Sequence, residues 1–377
     1  MSTSEIVAGP SVASGTLDVS IIVPTYGEAE NLPTLIPRIT AALENAGLRG
    51  EIVVVDDNSP DDTAEVCRRL AIDHPLRLEI RTRDRGLSSA VIHGMTLAEG
   101  AVLLVMDADL SHPAEKIPEL VAAVRSADAD FAIGSRYVQG GGTDDDWGLF
   151  RWLNSKVATL LAWPLTSAKD PMAGFFAIGA ASFHNADQLN PVGYKIGLEL
   201  MVKCGCRNVH EVPIHFRDRL HGESKLTLRE QLNYLRHLKR LYDYKLGHLS
   251  RFAQFVMVGG TGMAVDFIAF SLLLTVAPLS IARAVAIWAA MSWNFLLNRR
   301  ITFADAPRGP VVRQYAMFCL ACLLGALVNW SLSVWLCGAF AFFDQFKLAA
   351  AFLGVLAGTA FNYLLSCRIF RPSAARG

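Results

Sequence analysis

From residue 18 to about 248 the chain alternates short apolar runs with polar segments of helical spacing, and beyond that point the polar segments all but disappear. In the first part, Val19-Ser20-Ile21-Ile22-Val23, Glu51-Ile52-Val53-Val54-Val55 and Ala101-Val102-Leu103-Leu104-Val105 are nearly continuous apolar runs. Strands covered by helices on both faces read this way, so an α/β domain is expected over residues 18–226. Four long, almost uncharged stretches follow, at roughly 252–276, 280–298, 314–338 and 347–366, each near the ~20 residues a helix needs to cross a bilayer. Burying four such helices as a soluble core would take far more protein than the short loops between them, so residues 249–372 are read as an all-α transmembrane domain of four helices. Residues 1–17, rich in Ser, Gly, Ala and Thr, are expected to form a disordered leader; they lack the basic start and long apolar core of a signal peptide.

Two further segments are too apolar on one side for a free surface helix. Trp147 to Trp163 is one. The other is residues 227–248, where Leu228, Leu232, Leu235 and Tyr242 form a stripe beside Arg229, Arg236, Lys239, Arg240 and Lys245. Both are expected to lie in the membrane interface, the second with its basic face towards anionic headgroups.

The 377 residues carry 35 basic and 35 acidic side chains, a net charge of +0, so nucleic acid is not an expected partner. The distribution of arginine is more informative than the total. Arg251 precedes the first apolar stretch, Arg299, Arg300, Arg308 and Arg313 separate the second and third, and Arg368, Arg371 and Arg376 follow the fourth, whereas the other two connections hold little beyond Arg283 and Lys347. The positive-inside rule then puts the N-terminal domain and both termini in the cytoplasm. The module also repeats: Asn294-Phe295-Leu296-Leu297 to Ile301 aligns with Asn362-Tyr363-Leu364-Leu365 to Ile369, and Gly262 and Asp266 align with Gly325 and Asn329. Two parallel helical hairpins are expected. The region, about 120 residues, resembles the GtrA-like membrane family, which is tied to polyprenyl-phosphate-sugar metabolism. Asp266, expensive inside a span, is expected either to be functional or to be paired within the bundle, a hydrogen bond to a nearby Ser or Asn being the plain alternative. The seven cysteines form no metal pattern and fit a reducing compartment.

Chemistry concentrates at the strand ends of the first domain. Val105-Met106-Asp107-Ala108-Asp109 sets two carboxylates one residue apart at a strand tip, an arrangement that can hold one hard divalent cation, Mg2+ or Mn2+, bridging a nucleotide-sugar diphosphate. Pro24-Thr25-Tyr26-Gly27-Glu28 and Asp56-Asp57-Asn58-Ser59-Pro60 end the first two strands, where acidic residues suit ribose hydroxyls and a base edge. No glycine-rich phosphate loop follows either strand, which disfavours dinucleotide-binding and Walker sites.

These segments, with Arg85-Gly86-Leu87, Gly134-Ser135-Arg136-Tyr137-Val138, Gly193-Tyr194-Lys195-Ile196 and Phe216 through Arg219, Gly222, Ser224 and Lys225, resemble the inverting GT-A (Rossmann-like) glycosyltransferases, and among them the dolichol-phosphate mannose synthase branch, over about 225 residues. The resemblance implies a nucleotide-sugar donor held by Pro24, Tyr26, Glu28, Val54, Asp56, Asp107, Ala108, Lys195 and Lys225, a metal on Asp107, Asp109 and Ser111, and an acceptor phosphate faced by Arg136, Arg151, Ser155 and Arg219. It also implies that Asp109, Arg136 and Arg219 carry catalysis. Two positions depart from the pattern: Gly27 stands where Asn is usual, and Ser111 where many relatives have a metal-holding Gln. A polyprenyl phosphate is already largely dianionic at neutral pH, so no general base is required; the demands are charge screening and alignment. Three functions remain open on the residues: mannose transfer from GDP-mannose to a polyprenyl phosphate with inversion, a UDP-glucose-dependent version, and a lipid-linked-sugar flippase whose soluble domain only binds.

Overall fold

The computed structural model describes residues 6–8, 16–126, 128–143, 149–189, 195–216, 228–304, 306 and 309–370, with the backbone alone described at 6–8, 149–153 and 228–230. The chain divides into two compact units, Met1–Lys245 and Leu246–Gly377.

The first unit is built on an eight-stranded mixed sheet. Its strands are β1 (Ile6–Ala8), β2 (Val19–Thr25), β3 (Gly50–Asp56), β4 (Leu76–Ile80), β5 (Val102–Val105), β6 (Phe131–Ser135), β8 (Phe176–Gly179) and β9 (Val209–Pro213), while β7 (Gly142–Thr143) and β10 (His215–Phe216) form a separate parallel pair. The spatial order is β1-β4-β3-β2-β5-β8-β6-β9. The run β4-β3-β2-β5 is parallel, and β8 is inserted antiparallel between β5 and β6. Helices α1 (Leu32–Asn45), α2 (Thr63–Leu70), α3 (Leu87–Leu97), α4 (Ile117–Arg125), α5 (Leu149–Ala162), α6 (Ala180–His184), α7 (Ile196–Lys203) and α8 (Leu228–Leu246) complete the unit.

Every residue of β2 and β3 is buried, as the continuous apolar runs predict. Ile21 and Val23 pack on one face with Leu32, Leu35, Ile36 and Ile39 of α1, while Ile22 packs on the other with Val91 and Met95 of α3. The second core continues through Phe131, Phe176, Leu198 and Met201 to Leu238 and Leu241 of α8. Tyr234 and Tyr242 of α8 donate hydrogen bonds to the carbonyls of Ala158 and Leu161, each at 2.7 Å, so α8 is tied to the C-terminal half of α5. Leu160, Leu232 and Leu235 remain exposed on these helices, as does Trp163 in the turn that follows α5.

One expectation needs correction. Within the segment 1–17, Ile6–Ala8 is ordered as a strand, antiparallel to β4. The open edge of β4 offers unpaired backbone groups, and Ile6-Val7 is the only β-branched pair in that segment, which explains why ordering occurs there.

The second unit contains α9 (His248–Leu273), α10 (Leu279–Leu297, continued by a π turn over Asn298–Thr302), α11 (Val311–Ala339), the short α12 (Ala341–Gln345) and α13 (Lys347–Ile369). The four long helices cover the four predicted spans, and most of their apolar side chains face outward, the signature of a surface that meets lipid. The internal repeat has a physical basis. A Cβ on Gly262 of α9 would sit 2.1 Å from Asn294 Oδ1 of α10, and a Cβ on Gly325 of α11 would sit 2.0 Å from Asn362 Oδ1 of α13. In each hairpin a glycine thus opens the space that the partner helix's asparagine fills. A cluster of Phe255, Phe295, Phe303, Phe318, Tyr363 and Phe370 closes one end of the bundle.

Asp266 is paired with Arg283 at 2.7 Å, not with a neighbouring Ser or Asn. Arg283 was expected in the connection between spans; it lies one turn inside α10, where its length lets it reach back to α9.

Candidate active site

The C-terminal ends of β2, β3 and β5 lie side by side, and the loops that leave them are cross-linked. Gly27 N–H donates to Ser59 Oγ at 2.8 Å, Glu28 N–H to Thr63 Oγ1 at 3.0 Å, and Ala29 N–H to Asp61 Oδ2 at 3.2 Å. Gly27 has φ +77°, a left-handed position that Gly adopts freely and Asn tolerates, which accounts for this departure from the family pattern. Pro24 and Val54 are buried in β2 and β3, Tyr26 is 56% exposed, and Glu28 accepts a hydrogen bond from Asn31 at 2.7 Å.

Asp56, expected to hold the nucleotide, ends β3. It is 1% exposed, and its oxygens accept hydrogen bonds from Thr25 Oγ1 at 3.1 Å, Ser59 Oγ at 2.5 Å and Ser59 N–H at 2.9 Å. Its carboxylate therefore fastens the two loops to each other. Its neighbour Asp57 is equally engaged: Oδ1 accepts from Arg81 Nε at 2.9 Å, and Oδ2 from Gly86 N–H at 2.7 Å, at a glycine with φ +140°. This buried pair shapes the turn that starts α3.

Asp107 and Asp109 follow β5. Asp107 keeps 30% of its side chain exposed, Ala108 between them is buried, and Asp109 accepts from the hydroxyl and the N–H of Ser111 at 2.5 and 3.2 Å. The buried Ser111 hydroxyl is thus directed at Asp109 Oδ1. Among the described residues no cluster of three or more His, Cys, Asp or Glu forms, so the turn supplies two carboxylates and a hydroxyl. That all-oxygen set fits Mg2+ or Mn2+, which binds through one or two carboxylates and takes its remaining ligands from substrate phosphate and water. Gly174 lines the same turn: a Cβ there would lie 3.1 Å from Asp107 Oδ2.

Beside the two carboxylates stands a cationic group. Arg136, at the end of β6, makes a two-pronged contact with Asp170, Nε to Oδ2 and Nη2 to Oδ1, both 2.8 Å, while its backbone N–H donates to Oδ2 at 3.1 Å. Asp170 is fully buried and its own N–H donates to Glu211 at 3.1 Å. Burial alone would lower the Arg136 pKa, but the hydrogen bonds and charge of Asp170 carry it above its ordinary value. Lys195, at the start of α7, is pushed down to about 8 by desolvation and by the Arg136 charge, against the opposing pull of Asp170 and Asp107. The mutual influence of these four groups places them in one electrostatic site. The Phe216 ring packs between two of the neighbouring groups, with the Arg136 guanidinium 5.3 Å and the His112 ring 5.7 Å from its centre.

Ser155 Oγ lies 2.7 Å from the Tyr137 hydroxyl, and Lys156 Nζ is 4.0 Å from the centre of the Tyr137 ring. The side chain of Arg151, and Arg219 and Lys225 entirely, lie outside the described residues. Sequence reasoning did not single out Asp170, His112 or Arg81. Each is defined by a partner far along the chain or by ring packing, and a lone charged residue in a polar loop carries no signal of it.

The model of Glycosyl transferase family 2 matches residues 20–184, and that of the GtrA/DPMS transmembrane domain matches residues 254–370. A dolichol-phosphate mannosyltransferase of Pyrococcus furiosus is 42% identical over 319 residues, 83% of this chain and 89% of that one. Another, from Mycosarcoma maydis, is 42% identical over 242 residues, 62% of this chain and 82% of its own. Among solved structures, glucosyl-3-phosphoglycerate synthase from Mycobacterium tuberculosis, in complex with Mn2+, uridine diphosphate and phosphoglyceric acid, aligns with a TM-score of 0.46 at 17% identity, covering 61% of this chain and 79% of that one.

Proposed function

The chain belongs to the dolichol-phosphate mannosyltransferases, family 2 glycosyltransferases here carried on a GtrA/DPMS transmembrane domain, and from that premise we propose that it moves mannose from GDP-mannose to a polyprenyl phosphate with inversion, at the cytoplasmic membrane face. The observation that supports this reading is the pairing of a two-carboxylate turn, Asp107 and Asp109, with the fixed cations Arg136 and Lys195 in one electrostatic site.

Two polyanions have to meet there, a nucleoside diphosphate and a phosphate nucleophile. A divalent cation on Asp107 and Asp109, with Ser111 oriented towards the second, would neutralise the departing diphosphate. Arg136 supplies a planar fork suited to a phosphate, and Asp170 fixes its direction so that little order remains to be paid on binding. Lys195, one charge from each group, balances both sides. Both Asp170 oxygens are hydrogen-bonded to Arg136, and an acceptor phosphate that is already largely dianionic needs no general base. Ser155 with Tyr137, and Arg151 and Arg219 from the resemblance, would complete the acceptor side; Tyr26, Glu28, Pro24, Val54, Asp56, Ala108 and Lys225 would line the donor. The exposed Leu160, Leu232 and Leu235 on α5 and α8, with Trp163 just after α5, suit an interfacial position close to the lipid acceptor.

The test is transfer by the purified protein to one polyprenyl phosphate from a panel of radiolabelled donors. GDP-mannose is expected to be used, with a β-linked product and with loss of transfer on chelation. Preference for UDP-glucose would replace the donor assignment, and donor binding without transfer from any of the panel would favour the flippase. Labelling of single cysteines placed next to Arg300 and Arg368, in sealed vesicles of known orientation, reports the membrane topology.

A further inference from the structure

Asp107 and Asp109 leave β5 on a turn that the backbone does not adopt readily. Leu110 has φ +61°, a left-handed conformation in which Cβ crowds the backbone. Such a residue persists where its surroundings over-determine it. Ser111 holds one side of the turn through Asp109. The other contact spans it from end to end: the N–H of Asp107 donates to Nδ1 of His112 at 3.0 Å.

His112 is 3% exposed, stacked on Phe175 with ring centres 5.1 Å apart and planes 15° apart, and it meets Phe216 at 66°. The aromatic nest fixes the ring, and the ring fixes the backbone of Asp107. With Nδ1 accepting, the proton of the imidazole sits on Nε2, which lies 3.9 Å from Asp107 Oδ2. Opposite, a Cβ on Gly174 would approach that same oxygen to 3.1 Å and His112 Cε1 to 3.4 Å, so the carboxylate occupies a slot bounded by the imidazole and by a position that only glycine leaves open.

We propose that His112 is a positioning residue for the divalent-cation site: it does not ligate the ion but sets the direction of Asp107 through the backbone hydrogen bond, while its packed ring bounds the carboxylate. The inference rests on the reading of Asp107 and Asp109 as the cation-holding pair. A site with two carboxylates has few protein ligands to average out an error in either one, so the direction of each weighs heavily on affinity.

The experiment is titration of Mn2+ alone into the full-length protein in detergent, following the free-ion EPR signal, with thermal melting to verify folding. His112→Phe keeps an aromatic ring on Phe175 but has no acceptor for the Asp107 N–H; it is expected to fold and to bind Mn2+ about tenfold or more weakly. His112→Asn, whose amide oxygen can accept that N–H, is expected to recover most of the loss. Asp109→Asn is the control for the cation site itself. If Asp109→Asn loses Mn2+ while His112→Phe binds within about threefold of the unaltered protein, the positioning role is wrong. If Asp109→Asn binds Mn2+ undiminished, the cation reading fails, and the inference with it. Should His112→Phe not fold, His112→Leu takes its place under the same thresholds.

Discussion

Asp170 has no exposed surface, yet changing it is expected to be felt at Arg136, because the pair's two hydrogen bonds fix the direction of the guanidinium. Asp170→Asn keeps the shape and drops the charge. It should lower kcat for transfer by about tenfold or more while donor affinity changes by less than about threefold, since Arg136 is assigned to the attacking phosphate. Asp170→Ala, which strands a buried cation, should also cost about 3–5 kcal/mol of stability. Isothermal titration with GDP beside steady-state kinetics separates the two, and a parallel collapse of GDP affinity would move Arg136 to the donor side. A second residue reports on pH. Burial holds His237 of α8 below its ordinary value, aided by Arg240 and Lys203 and opposed by Glu199, whose Oε2 is 4.0 Å from Nδ1. A depressed histidine favours the folded state fully above the unfolded value of about 6.5, and that contribution is lost as pH falls below it. The melting temperature should therefore drop between pH 7.5 and 5.5, and His237→Gln should show a shallower drop. An unchanged slope in the variant would assign the acid sensitivity to other groups.

At the scale of elements, close helix packing in the membrane unit depends on glycines of unequal importance. A Cβ on Gly358 would stand 2.6 Å from the carbonyl oxygen of Gly325, a backbone atom that cannot step aside, whereas Gly259 has nothing within 4 Å. Gly358→Ala should cost about 1–3 kcal/mol, read as a lower melting temperature in detergent, and Gly259→Ala almost nothing. Equal effects would mean that α11 and α13 do not pack as described. The same contrast explains what could be read from the chain alone. Strands β2, β3 and β5 announce themselves because burial on both faces leaves an unbroken apolar run, and the four spans because lipid demands length. The Asp107–Asp109 pair was visible because only Ala108 stands between its members. The Arg136–Asp170 fork joins residues 34 positions apart, and His112 depends on Phe175, so neither leaves a pattern in local spacing. Asp56 was legible as a strand-end acid, but its inward orientation depends on Ser59 folding back over it, which spacing does not encode. The strand Ile6–Ala8 went unread because three residues are too few to show a period.

For the whole molecule, the division at Leu246 predicts that a truncation there keeps chemistry and loses anchorage, since every described candidate site residue precedes it. Purified in detergent and verified as folded, residues 1–246 should transfer sugar to a short-chain polyprenyl phosphate at a measurable rate and use long chains poorly. A folded truncation that binds donor yet transfers to no acceptor would show that the spans complete the site. The ion pair of α9 and α10 bears on how such a chain is made. A lone Asp or Arg costs up to roughly 2.5–3.5 kcal/mol to insert at mid-membrane and less towards a helix end; Asp266 and Arg283, near the α9–α10 connection on consecutive spans of one hairpin, can pair before α11 has left the ribosome. The first hairpin is thereby a complete parcel for the insertion machinery, while the second, with Asn329 in place of the acid, needs no such partner. Arg283→Leu should accordingly lower the fraction of nascent chains that integrate α9, measured by glycosylation mapping of a chain ended after α10, and leave integration of an isolated α11–α13 hairpin untouched. Translation order, and not the finished bundle, is then what makes that arginine necessary.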